Sequence, residues 1–236
     1  RTGEQDFMVV VNAGTQDGDF EWIRSHVARG VRVDNCSAET SKIDLQGPAA
    51  PRIMQRLVGR SVAGLTYYRF AENRYRDHRI LVSRTGYTGE IGFELYFEEG
   101  DLAQQFWKDA MTLGAAAAGL GARDTLRLEM GMPLYGHELS ADRNAAESGF
   151  HKAIASHKDF IGAGAIRDGG PSRLVGVRME DRRAARQGDS IRDEAGRAIG
   201  AVTSGSFAPS LGRAIALAYV TQEASATPAA SNATMI

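Results

Sequence analysis

The stretch Ser83-Arg84-Thr85-Gly86-Tyr87-Thr88-Gly89-Glu90-Ile91-Gly92-Phe93-Glu94-Leu95 reads as a strand, a glycine-bracketed turn and a second strand. In that second strand, taken as 91–97, the apolar residues Ile91, Phe93, Leu95 and Phe97 alternate with Gly92, Glu94 and Tyr96. Period-two alternation sends the first set toward a core and the second to the opposite face. Glu94 is therefore expected between a glycine and a tyrosine on the non-core face. The glycine there leaves room for a flat ligand, and the tyrosine adds an aromatic edge. A solvated glutamate on an open sheet face fits the same pattern. Further along, Gly119-Leu120-Gly121-Ala122-Arg123-Asp124-Thr125-Leu126-Arg127-Leu128-Glu129 reads as a glycine-rich entry into a short helix. Asp124 can pair with Arg127 three residues on, which leaves Arg123 without a local partner. A cation at a helix N-terminus opposes the macrodipole, so Arg123 requires a partner from elsewhere or a ligand carboxylate, unless it is simply exposed. Both groups sit on rigid elements, which hold a binding group more accurately than loops do, and a common cleft is expected between them.

Upstream, the pattern gives strand 7–12, helix 18–29 and strand 31–35, with Asp17 or Asp19 as the helix cap and Gly30 as its stop. Trp22, Ile23 and Val27 recur at helical spacing and are expected in a core. Strand 42–46, helix 48–58, strand 66–70, a long strand 74–83 and helix 101–113 complete the middle. Pro48 is expected in the first turn of its helix. Such an order predicts an α+β fold, helices lying on one face of a mostly antiparallel sheet. From Arg173 the pattern turns to short strands at 173–179, 197–204 and 213–220, punctuated by glycine and proline, as in a small sandwich or barrel.

With 28 Lys and Arg against 29 Asp and Glu in 236 residues, the chain has no overall charge to draw it to nucleic acid or anionic membranes. The cluster Arg173, Arg178, Arg182, Arg183 and Arg186 is expected as a solvated face. No apolar run reaches the roughly 18–20 residues of a membrane helix, and a cytoplasmic protein is the expectation. Cys36 stands alone and is expected as a buried strand-edge thiol. Gly119-x-Gly121 lacks the third glycine and the leading strand of a dinucleotide fingerprint. His151 and His157, flanking Lys152 and Lys158, read as exposed loop residues. No Ser–His–Asp or Cys–His spacing is recognisable, and no metal site is expected.

A carboxylate facing a shallow aromatic cleft suits a ligand with two adjacent N–H donors, because carboxylates accept such forks bidentately. A pterin edge offers such a fork, and an arginine suits a ligand carboxylate or ring carbonyl. Folate carries all of these groups.

The wording of both stretches closely resembles the T-protein family of the glycine cleavage system, which are folate-dependent aminomethyltransferases. The resemblance extends to Val9-Val10-Val11-Asn12-Ala13, Gln46-Gly47-Pro48, Gly131-Met132-Pro133-Leu134-Tyr135-Gly136-His137-Glu138-Leu139, Lys158-Asp159-Phe160-Ile161-Gly162 and Thr203–Gly212. It implies a three-domain cloverleaf around a folate channel. A small α+β domain would comprise 1–35 and 126–170, a ferredoxin-like domain 36–125, and a small β-barrel or sandwich domain 171–230. Glu94 and Arg123 match the family's folate-contacting glutamate and arginine, Tyr87 a tyrosine lining the same cleft, and Asn12 a residue near the reacting end. The implied activity moves a one-carbon unit from an aminomethyl-lipoyl carrier, the H-protein, to tetrahydrofolate, the complete protein acting as a monomer. The same fold would also serve a demethylase of methylated amines or sulfonium compounds, or a folate-binding module without transferase activity.

Some parts depart from the family. Its catalytic aspartate is expected on a strand upstream of Val9-Val10-Val11-Asn12, before this chain begins, and the resemblance fades after Val220 and across Asn144–His151. Transfer by these residues alone is therefore expected to be weak, and strand 213–220 is expected to present an unpaired edge. Residues 231–236, Ser-Asn-Ala-Thr-Met-Ile, read as a cloning remnant out of its usual place and are left out of the fold reading.

Overall fold

The computed structural model describes residues 1–59, 62, 64–150, 153–167, 170–180 and 182–226. His151, Lys152 and the 231–236 remnant lie outside the described residues. The fold is α+β, with two four-stranded antiparallel sheets, and the chain divides into two compact units. The first holds Arg1–Gly86 and Glu90–Ala117; the second holds Tyr87–Gly89 and the chain from Ala118 onward.

In the first unit, β1 (Ser41–Gln46), β2 (Phe70–Tyr75), β3 (His78–Ser83) and β4 (Gly92–Phe97) run in the order β1-β4-β3-β2. Helices α2 (Ala50–Leu57) and α3 (Gly100–Thr112) contribute Ile53, Met54, Leu102 and Phe106 to a core shared with Val82, Phe93, Leu95 and Phe97. Met54, Leu95 and Phe97 are fully buried, each worth about 1.5–3 kcal/mol relative to exposure. Phe93, Leu95 and Phe97 point inward as their alternation dictates. Ile91 does not: it precedes β4, is exposed, and its carbonyl accepts the Gly47 N–H at 2.8 Å. Pro51, not Pro48, occupies the first turn of α2, two residues past the cap residue Ala49.

The expected strand 74–83 is a hairpin. Arg76 and Asp77 both adopt positive φ (47° and 67°) and turn the chain between β2 and β3. Two such residues match the right-handed twist of paired strands. No glycine marks this turn, so the polar–apolar pattern runs straight through it. The expected strand 66–70 is mostly a turn: the Arg69 N–H donates to the Thr66 carbonyl at 3.0 Å, and pairing begins at Phe70.

The largest departure lies at the start of the chain. Helix α1 (Gln16–His26) forms, but strands 7–12 and 31–35 do not, and α1 carries no buried residue. Phe7, Val9, Val10 and Val31 are exposed, and Trp22 is 51% exposed. A strand exists only when another backbone takes up its N–H and C=O groups, and no described segment pairs with these two. The apolar stripe of α1 consequently covers no core. Its cap position is Thr15, which makes no side-chain cap bond; Asp17 and Asp19 lie in the first turn, and Thr15 Oγ1 donates to Asp19 Oδ2 at 2.7 Å. The helix ends at His26, and Gly30 serves the following turn at φ 91°. Cys36 is exposed ahead of a short 3-10 turn, not buried at a strand edge.

In the second unit, α4 (Leu120–Glu129) and α5 (Ala163–Arg167) precede β5 (Ser172–Arg178), β6 (Ser190–Arg192), β7 (Ala198–Ala208), β8 (Arg213–Thr221) and α6 (Gln222–Ala226). The sheet order is β5-β8-β7-β6. Strand β8 is therefore central, not an unpaired edge: it pairs with β5 and β7, and Ala214 through Val220 are all buried. A strand buried on both faces reads as a continuous apolar run, and Ala-Ile-Ala-Leu-Ala-Tyr-Val is such a run. The three-residue β6 was too short to read. Leu128 of α4 packs against Ala208, Ile215 and Leu217. Arg173, Arg178, Arg182, Arg183 and Arg186 are exposed as expected, with the Arg182 guanidinium over the Phe207 ring. The exposed His157 and Lys158 fit the loop reading.

Candidate functional site

Strand β1 alternates Lys42, Asp44 and Gln46 with Ile43 and Leu45. Its antiparallel register with β4 sets Lys42 opposite Tyr96, Asp44 opposite Glu94, and Gln46 opposite Gly92. On the other side of β4, Ser83 of β3 faces Glu94. One polar face thus gathers two carboxylates, an ammonium, an amide, two hydroxyls and a phenol.

Within it, Glu94 is held through both oxygens. Lys42 Nζ donates to Oε1 and Thr85 Oγ1 donates to Oε2, while Thr85 Oγ1 also hydrogen-bonds Ser83 Oγ at 2.9 Å. Lys42 Nζ lies 3.1 Å from Asp44 Oδ1 as well. The Glu94 side chain is only 16% exposed, so it is a paired, largely covered carboxylate and not a freely solvated one. Burial works against the Lys42 charge. The Glu94 hydrogen bond and the Asp44 and Glu94 charges outweigh it and hold the ammonium above the ordinary lysine range. Tyr96 is pushed up by burial and then by the Glu94 charge.

The room left by Gly92 is taken by Gln46. A Cβ built on either Gly86 or Gly92 would overlap the Gln46 amide, so these glycines admit a protein side chain where a flat ligand was expected. Gln46 Nε2 donates to the Thr85 carbonyl at 3.2 Å and the Phe93 carbonyl at 3.3 Å. It thereby ties the segment carrying Thr85 to the strand carrying Glu94.

Arg123 and Tyr87 come together in the second unit. The Arg123 guanidinium lies 4.7 Å from the Tyr87 ring centre, and Tyr87 Oη donates to the Pro133 carbonyl. This ring meets the requirement for a partner from elsewhere. Burial pushes the Tyr87 hydroxyl up, with the Arg127 and Arg123 charges opposing. Asn12 lies in the irregular segment before α1, its carbonyl accepting from the Thr15 N–H at 3.2 Å.

The predicted Asp124–Arg127 pair forms at 2.7 Å, but the sequence reading missed that Arg127 is wholly buried. Its Nη1 donates to Glu138 Oε2 at 2.8 Å and its Nη2 to Ser204 Oγ at 2.7 Å. Glu138 also accepts from the Leu134 N–H at 2.9 Å and Thr203 Oγ1 at 2.6 Å. The signal available for Lys42, Asp44 and Gln46 was their period of two on a strand expected to pair. For Glu138 no local signal existed. Among the described residues, no group of His, Cys, Asp and Glu could hold a metal ion, and no helix is long and apolar enough to cross a membrane.

Comparison with known proteins bears on these residues. A family model described as the GCVT N-terminal domain matches residues 1–158, and one described as the glycine cleavage T-protein C-terminal barrel domain matches 173–232. An aminomethyltransferase of Moorella thermoacetica is 47% identical over 229 residues, covering 92% of this chain and 62% of that protein. One of Geobacillus kaustophilus is 41% identical over 235 residues, covering 95% and 64%. The crystal structure of glycine cleavage system aminomethyltransferase T from Bartonella henselae superposes with a TM-score of 0.78 at 30% identity, covering 89% of this chain and 59% of that one. The chain thus spans less than two thirds of the length of these relatives.

Proposed function

The chain belongs to the glycine cleavage T-protein family, and from that premise we propose that it binds a reduced folate for aminomethyl transfer. The reaction would pass a one-carbon unit from the aminomethyl-lipoyl H-protein to tetrahydrofolate, with release of ammonia, in the cytoplasm. The cloverleaf of three domains, with a small α+β domain, a ferredoxin-like domain and a barrel, belongs to the same proposal.

The observation that carries the reading is the state of Glu94. Its oxygens take protein donors from Lys42 and Thr85, and a carboxylate oxygen can accept from more than one donor. An ionised carboxylate held in this way suits two parallel N–H groups, and a pterin edge supplies two. Arg123, its guanidinium face on Tyr87, is proposed to meet a ligand carboxylate or ring carbonyl. Asn12 is proposed near the reacting end. In this chemistry a folate nitrogen attacks and no protein nucleophile is required, so the protein acts by holding reactants in line and tuning charge. Calorimetric titration with 5-formyltetrahydrofolate tests the binding half: Glu94→Gln and Arg123→Ala should each weaken it, and unchanged affinity in both would refute the assignment.

A further inference from the structure

Resting on the folate reading of Glu94, we infer that Lys42 is a positioning residue that keeps Glu94 ionised and aimed for an N–H fork, with Asp44 as the second seat of its ammonium. Antiparallel pairing of β1 with β4 sets Asp44 directly opposite Glu94, and side chains so placed have Cβ atoms about 4.5–5.5 Å apart. Two carboxylates at that spacing repel, and the usual relief is that one takes up a proton. A protonated Glu94 would turn an O–H toward a ligand that itself presents only N–H donors, and one of the two acceptor positions would be lost.

Lys42 removes the conflict. Its Nζ contacts Glu94 Oε1 and stands 3.1 Å from Asp44 Oδ1, so one ammonium bridges the pair and offsets one of its two negative charges. The other groups facing Glu94 are Tyr96 on β4, Ser83 on β3, Thr85 just beyond it, and Tyr67, whose phenol feels the Glu94 charge. These groups carry hydroxyls only; the other cation nearby is Arg84, which also acts on the Tyr67 phenol and donates from Nη1 to the Gly92 carbonyl at 3.2 Å. Thr85 orients the second oxygen and is itself tied down through Gln46. The ammonium, held above the ordinary lysine range, stays charged throughout the range in which a carboxylate pair titrates. Because Asp44 is already within ion-pair distance, the ammonium stays paired and near Glu94 when a ligand approaches Oε1.

The test is calorimetric titration of 5-formyltetrahydrofolate into the full chain between about pH 5 and about pH 8, a window well below lysine titration. Lys42→Met should weaken binding about tenfold near neutrality, and the loss should deepen as the pH falls. Lys42→Arg should bind like the parent. Lys42→Met combined with Asp44→Asn should recover most of the affinity, because the second negative charge is gone. A Lys42→Met variant whose affinity and pH profile match the parent would overturn the inference. So would a double variant no better than the single one.

A ligand-free readout separates this inference from the folate reading. The ¹³C shift of the Glu94 carboxyl should titrate at higher pH in Lys42→Met than in the parent, and at lower pH in Asp44→Asn. If Glu94→Gln binds folate as tightly as the parent, the folate reading of Glu94 falls, while the carboxyl titration still decides whether Lys42 controls its charge. Should Lys42→Met not fold, as judged by circular dichroism, Asp44→Asn decides alone: a Glu94 midpoint unmoved from the parent would sink the inference.

Discussion

Two charge clusters, one in each unit, are built to opposite ends. Arg127 and Glu138 are sealed from solvent and, besides each other, find their partners inside the protein: Asp124, Met132 and Ser204 for the arginine, Leu134 and Thr203 for the glutamate. Lys42 and Glu94 lie on a sheet face that is only partly covered, and Lys42 is shared between two carboxylates. The first arrangement leaves nothing over for a ligand. Taking two charges out of water costs several kcal/mol each, and only a complete set of partners offsets that. The second, less covered, is the weaker and more screened interaction. Closure favours rigidity; incomplete closure leaves a carboxylate within reach of a ligand.

Breaking the closed cluster should produce the largest effect. Arg127→Met leaves the Glu138 carboxylate buried without its counter-charge, and urea unfolding should register a loss of about 3–5 kcal/mol. Pairing it with Glu138→Leu should return much of that loss, since no bare charge remains. Two unpaired variants as stable as the parent would remove the contrast altogether.

The open cluster should answer in binding and not in stability. Glu94→Gln is expected to cost about 1–3 kcal/mol of folate affinity, the price of a mispaired polar contact, while the melting temperature moves far less than for Arg127→Met. If the melt shifts as much as in Arg127→Met, Glu94 is a structural group like Glu138.

A smaller effect is expected at Arg123. Its removal as Arg123→Ala forfeits the stacking on Tyr87, about 0.5–1 kcal/mol at a partly exposed site, and should also weaken folate. Comparing its thermal melt with that of Tyr87→Leu sharpens the point, because both variants lose the same contact and the two losses should not add in the double variant.

The smallest effect concerns acid. Burial of Glu147 works against its charge, but the Asn144 N–H, Ser172, and Arg143 outweigh it and hold the carboxyl below the ordinary glutamate range. A depressed folded value means that stability is fully present above the unfolded value, about 4.3, and is lost as pH falls through the folded one. Glu147→Gln should therefore flatten the acid limb of the stability curve slightly and leave the neutral region's shape unchanged. An identical acid limb in both proteins would show that this carboxyl does not couple to folding.

How far the sequence could be read depended on whether a signal was local. The inward set Phe93, Leu95 and Phe97 and the Asp124–Arg127 pair followed from periods of two and three. Strands 7–12 and 31–35 failed because apolarity says that a segment can be buried, not that a partner backbone is present to pair with it. The hairpin at Arg76-Asp77 was hidden because its positive φ angles fall on an arginine and an aspartate with no glycine beside them.

By itself, the sequence determined the α+β class, the family and the identity of Glu94 and Arg123 as groups worth watching, because each is written in short-range pattern or contiguous motif. Only the tertiary structure decided what those groups touch. Register between β1 and β4 put Asp44 across from Glu94 with Lys42 alongside, and the folding of β7 beside α4 sealed Arg127 with Glu138 and Ser204. Both are juxtapositions of residues far apart along the chain, and the energy of a charge is set by what stands next to it in space.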